Sequence, residues 1–129
     1  MKTEHIFDIC FDFYRALRQW LEGRGIGIVV IDLSRPAVGY HWRPERARAK
    51  DYAIDFERIA RETLKRPEWR GRKLLLEIYY LRGVEYRRAI ALLGVSPNTF
   101  DYWMQEVKKC VGARLTRAKL FPPRSYFRP

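Results

Sequence analysis

Cysteine and histidine are scarce: Cys10, Cys110, His5 and His41 are the only four in 129 residues. No CxxC or HxxxH spacing joins them, which excludes a zinc site built from sequence-local ligands. So few thiols make a reducing cytoplasm the expected compartment. Long apolar runs are missing as well. The run Gly25–Ile31 ahead of Asp32 falls far short of the roughly 20 residues a spanning helix needs, so no membrane partner is expected. The start, Met1 to His5, leads into a stretch broken by Asp8 and Asp12, which is not how a signal peptide reads. Acids are thin in the second half. Residues 65–129 hold 5 Asp+Glu against 15 Lys+Arg, a net of +10, while residues 1–64 hold 10 against 11, a net of +1. There is no dense acidic cluster, no Ser/His/Asp arrangement and no phosphate-cradling glycine loop, so the chain is not expected to be an enzyme or to carry a cofactor. Asp32, after Ile28–Ile31, would need Asp8 or Asp12 beside it to hold magnesium, and nothing in the spacing brings them together.

What is present suits one real core: 47% of residues are hydrophobic and 32% charged. Ile6, Cys10, Phe13, Leu17 and Trp20 recur at three and four over residues 4–22 and predict an amphipathic helix, ended by Gly23 and Gly25. Ile26 to Leu33 is β-branched and reads as a strand, with residues 37–42 as a loose hairpin partner. Arg43 to Arg48 reads as a charged linker or short helix. Tyr52, Phe56, Ile59, Ala60, Thr63 and Leu64 share a helical face over 51–65, with Pro67 just beyond. Leu74, Leu75, Ile78, Tyr79 and Leu81 predict a helix over 72–82, with one of Tyr79 and Tyr80 in the core and the other at the surface. The tail from Leu120 to Pro129 is rich in proline and aromatics and cannot be helical through Pro122–Pro123, so it is expected to dock, on its own domain or on a partner. The expected fold is mainly α: a helical bundle with a C-terminal helix-turn-helix and a small β hairpin or extended segment near residues 26–42. Residues 1–66 form the N-terminal region, 67–119 the helix-turn-helix domain and 120–129 the tail.

The most informative stretch runs from Val84 to Cys110. A helix over about 85–93 meets Gly94, which takes positive φ without Cβ strain. Val95 is placed to fill the angle between helices. Ser96 is a good N-cap, and Pro97 at the first helical position loses no hydrogen bond. A second helix follows from Pro97 to about Cys110. Ala89, Leu93, Val95, Phe100, Trp103 and Met104 fall at the inward places where the two helices cross, and Asn98, Asp101, Tyr102, Gln105, Lys108 and Lys109 remain outward on the second helix. Both cysteines are expected to be buried thiols.

Leu93-Gly94-Val95-Ser96 and Thr99, preceded by Tyr86 and by the apolar helix ending at Gly83, resemble region 4 of bacterial sigma factors. The resemblance covers Leu75 to Leu115. It departs from the family where Arg87-Arg88 replaces an acidic pair, where Ala89-Ile90 reverses the usual order, and where Trp103 stands for a mid-helix basic residue. The resemblance implies a helix-turn-helix whose second helix enters the major groove. No region that would melt promoter DNA is read upstream, so the expected setting is a small phage or prophage regulator, the antitermination type among them.

Polar tips suit base edges and cations suit phosphate. Asn98, Asp101, Tyr102 and Gln105 are therefore the expected base contacts, and Arg87, Arg88, Ser96, Thr99, Lys108, Lys109 and Arg114 the expected phosphate contacts. Double-stranded DNA is the expected partner of a transcription regulator that can act as a homodimer. The alternative is an interaction protein that grips RNA polymerase and binds DNA weakly, a role that the aromatic tail and the near-neutral N-terminal half favour. A small terminase-type packaging subunit or a nuclease is a further reading.

Overall fold

The structure is a computed structural model and describes residues 1–24 and 46–127. The described residues are mainly helical, in a bundle, with no strand among them. The hairpin expected near 26–42 lies outside the described residues, as do Asp32 and His41. Among the described residues no helix is long and apolar enough to cross a membrane.

Helix α1 (Thr3–Gln19) buries Ile6, Phe7, Cys10, Phe13, Tyr14 and Leu17, one stripe at spacings of three and four. Asp12 and Arg15 stay exposed and pair at 3.6 Å. A π-helical turn (Trp20–Arg24) carries α1 to Gly23. Helix α2 (Arg46–Thr63) begins before residue 51, so Arg46 to Arg48 belong to it rather than to a linker. It buries Ala49, Tyr52, Ala53, Phe56, Ile59 and Ala60. Pro67 opens a 3-10 turn (Pro67–Trp69), followed by α3 (Arg70–Leu75) and a π-helical segment (Leu76–Leu81). Then come α4 (Tyr86–Leu93), α5 (Pro97–Arg117) and the single turn α6 (Pro123–Tyr126).

Two apolar cores result. The larger joins α1 and α2 to Leu76, to Leu120 and to Val107, Val111 and Leu115 of α5. It draws on both sides of position 66, where a boundary was expected. The smaller gathers Leu75, Ala89 and Phe100, with Val95, Trp103 and Met104 packed around them. The α3 segment is the wedge between the two. Leu75 lies in one core, Leu76 in the other, and Tyr80 packs against both. Tyr79 and Tyr80 are thus both half-buried, where one core and one surface residue were expected. Leu74, counted with the apolar face, is 39% exposed.

The tail docks on its own chain. The carbonyl of buried Leu120 accepts from the Tyr52 hydroxyl at 3.1 Å and from the Cys10 thiol at 3.6 Å. Tyr126 donates to Asp55 at 2.7 Å, Arg48 donates to the Tyr126 carbonyl, and Phe127 lies 5.5 Å from Phe13. Pro122 caps α6 and Pro123 opens it, so no helix runs through the pair.

The α1–α5 crossing is closest at Gly112, where a Cβ would run into the backbone carbonyl of Thr3. Gly112→Ala is expected to lower stability by about 1–3 kcal/mol, the usual cost of overpacking, despite alanine's better helix propensity. Urea unfolding read by circular dichroism checks this. Burial also pushes the Cys10 thiol up to about 12 from an ordinary 9.0 and the Tyr52 phenol well above its ordinary 10.0. Both groups are neutral when folded. The stabilisation from Cys10 is complete below pH 9.0 and is lost as pH rises toward 12, and that from Tyr52 begins to be lost only above its ordinary 10.0. Stability is expected to fall there by about 1.4 kcal/mol per pH unit for each such group, and Cys10→Ala to delay the onset. Urea midpoints across that range measure it.

Candidate nucleic-acid interface

Local rules place the α4–α5 pair. Glu85 caps α4, its carboxylate accepting from the backbone N–H groups of Arg87 at 3.1 Å and Arg88 at 3.3 Å. Gly94, at φ 68°, closes the helix, and its N–H reaches the carbonyl of Ile90 at 3.0 Å. Ser96 then caps α5. Its Oγ accepts from the Thr99 N–H at 3.1 Å and donates to the Thr99 Oγ1 at 3.0 Å. Half-buried Val95 packs into the smaller core between the helices.

On α5 the residues Asn98, Asp101, Tyr102 and Gln105 are all exposed, Tyr102 by 55%. Their spacing of three, four and seven makes one stripe, about 10 Å long, which matches roughly three base-pair steps. Phe100, on the opposite side, is fully buried. Arg87, Arg88, Lys109 and Arg114 are exposed, and none pairs with a carboxylate among the described residues. The paired arginines, Arg15, Arg18, Arg58, Arg61 and Arg72, lie on α1, α2 and α3. Cations without a carboxylate partner among the described residues also lie elsewhere, Lys50 on α2 and Arg70 and Lys73 on α3 among them, so α4 and α5 carry part of a wider basic surface.

Four expected site residues have partners within the chain. Lys108 is only 18% exposed and pairs with Asp8 of α1 at 3.1 Å, so it belongs to the α1–α5 seam and not to the outward face. It stands three residues before Val111 and seven before Leu115, a spacing that already put it beside the buried stripe. Asp101 accepts from the Tyr86 hydroxyl at 2.6 Å, which ties α5 to α4 and raises the phenol's pKa through its bond to an anion. Ser96 and Thr99 spend their hydroxyls on the cap, and Thr99 is half-buried. Arg114 lies about 24 Å along α5 from Asn98.

Comparison with protein-family models, with curated proteins and with solved structures gives no match. The functional reading therefore rests on the residues themselves. Among the described residues no group of His, Cys, Asp or Glu could hold a metal ion. Cys10 is buried as expected, but Cys110 is half-buried, its thiol raised chiefly by that burial.

A support that spacing alone did not reveal holds α5 against α3. Arg72 donates to one carboxylate oxygen of Glu106 from Nε at 2.8 Å and from a terminal nitrogen at 2.7 Å. The same guanidinium lies 5.0 Å from the Trp69 ring and 5.4 Å from the Trp103 ring. Trp103 fits only because residue 71 is glycine, since a Cβ there would sit 2.5 Å from the indole. Gly71→Ala is expected to expel Trp103, open this clamp and cost about 1–3 kcal/mol. Tryptophan fluorescence together with the urea midpoint reads both effects.

Proposed function

We propose that this chain is a cytoplasmic, DNA-binding transcription regulator that reads duplex DNA through a helix-turn-helix made of α4 and α5, with the N-terminal half of α5 in the major groove. The supporting observation is the exposed polar stripe Asn98, Asp101, Tyr102 and Gln105 on a helix whose opposite side is packed away. Asn98 and Gln105 carry amides that can pair bidentately with adenine. Tyr102 adds a hydroxyl and an apolar ring. Arg87 and Arg88 at the start of α4 flank the stripe, where a helix crossing the backbone meets phosphate, and Lys109 follows it. Asp101, held by Tyr86, sets the angle between the two helices more than it reads a base. The resemblance of Leu75 to Leu115 to sigma region 4 points to the same docking. The polymerase-gripping alternative looked to the aromatic tail and to the near-neutral N-terminal half; the tail's aromatics pack on Tyr52 and Phe13 of this chain, which leaves the N-terminal half as its contact.

Binding of duplexes of defined and scrambled sequence, followed against salt, tests the reading. Asn98→Ala and Gln105→Ala are expected to relax sequence preference, by about 1–3 kcal/mol at the affected base pair. Arg87→Gln, Arg88→Gln and Lys109→Gln are expected to weaken all duplexes alike and to reduce the salt slope by about one for each lost phosphate contact. Lys108→Gln is expected to lower stability through the lost Asp8 pair and to leave the slope unchanged. A slope that falls for Lys108 and not for Lys109 contradicts the docking.

A further inference from the structure

A shallow groove of about 300 Å³ opens beside the C-terminal half of α5, lined by Thr63, Arg66, Trp69, Cys110, Arg114 and Arg117. It is remote from the polar stripe, and of its lining residues only Arg114 is among the phosphate contacts expected for duplex. Arg66 comes from the link after α2, Trp69 from the 3-10 turn, and Arg114 and Arg117 from the last turns of α5. The fold thus brings three guanidinium groups around one concavity from segments far apart in sequence. All three are exposed, and none pairs with a carboxylate among the described residues. Arg114 and Arg117 suit the negative end of α5. Arg66 stands just past the negative end of α2, and gathering three guanidinium groups around one concavity costs self-repulsion that a bound anion relieves. Guanidinium forks match phosphate oxygens in geometry as well as in charge. The wall also holds Ala113 and the half-buried indole of Trp69; Arg72 covers that ring from one side, and its exposed part is the kind of flat apolar surface on which a nucleobase stacks.

We propose that this groove binds a nucleotide unit, its phosphate among Arg66, Arg114 and Arg117 and its base against Trp69. The unit is either a free mononucleotide or an unpaired residue of a single strand. A duplex does not fit this site, because its bases are stacked inside the helix.

Cys110 makes the site measurable. Its half-buried thiol lies in the groove wall, while Cys10 is fully buried and serves as the internal control. Alkylation of Cys110 in the full chain, at mildly alkaline pH, is followed alone and with AMP, a short oligothymidine, an abasic strand of the same length, or inorganic phosphate. AMP or oligothymidine is expected to slow Cys110 alkylation about tenfold or more, and the abasic strand and phosphate to protect far less, because they lack the stacking ring. The double variant Arg114→Gln, Arg117→Gln, at two exposed positions that leave the core intact, is expected to lose the protection. Asn98→Ala and Gln105→Ala are expected to keep it. Protection by AMP identifies a free nucleotide as a sufficient ligand, and protection by oligothymidine alone identifies a strand. The proposal is overturned if neither protects, if phosphate protects as well as AMP, or if the double variant is protected like the parent. Sequence preference for duplexes, measured on the same protein, is independent of all three results, so failure here is distinguishable from failure of the duplex reading.

Discussion

The packing of α1 along the C-terminal half of α5 is the contact on which the rest depends. Helix α5 is a single rod of 21 residues, about 32 Å long. Its second half is seated in the larger core through Val107, Val111 and Leu115. Gly112 lets the start of α1 approach to backbone distance, and Lys108 closes the seam on Asp8. With that half immobilised, the first half has a fixed direction. Phe100 and Trp103 then face α3 and α4, and the polar stripe faces solvent. A recognition surface needs such a support, because contacts to base edges demand placement to a fraction of an ångström, which loops seldom give.

Ion pairs are denser on α1 and α2 than on α4 and α5. Several α1–α2 charges neutralise one another, although Lys50 has no carboxylate partner among the described residues. Glu57 accepts from Tyr14 at 2.6 Å and pairs with Arg18 at 3.5 Å and Arg61 at 3.1 Å, while Arg61 also reaches Glu77. On α4 and α5 most cations have no carboxylate partner among the described residues. Exposed ion pairs contribute little to stability, so this difference says more about encounters with polyanions than about folding. Of the cations behind the net of +10 over residues 65–129, Arg87, Arg88, Lys108, Lys109, Arg114 and Arg117 lie on α4 and α5 and the others lie outside them.

Local chemistry was legible in the sequence. The stripes of α1 and α2, the left-handed glycine at 94, the Ser96 cap and the proline at 97 all follow from rules that act over four residues or fewer, whereas α2 begins at Arg46 rather than at 51 and α5 runs to Arg117, well past the expected end near Cys110. Tertiary pairings were less legible. Lys108 and Asp8 are a hundred residues apart, and only the spacing of Lys108 from Val111 and Leu115 hinted that it faces inward. Arg72 was read as one more basic residue of a charged half, since nothing local says that two indoles and Glu106 enclose it. The tail's aromatics announced that they would dock but not on what. Their site became visible only once Tyr52 and Phe13 stood on neighbouring helices. The π-helical segment Leu76–Leu81 also escaped notice, because its apolar residues keep helical spacing while serving two cores at once.

The central claim is that the stripe on α5 reads duplex sequence. Selection of duplexes from a random pool by the purified chain, at near-physiological salt, tests it most directly. An enriched motif with a core of about three adjacent base pairs per half-site, the reach of a stripe from Asn98 to Gln105, is the predicted result, and the symmetry of that motif would show whether one copy or two bind. A pool that emerges without any enriched motif, bound only through contacts that fade as salt rises, would contradict the claim.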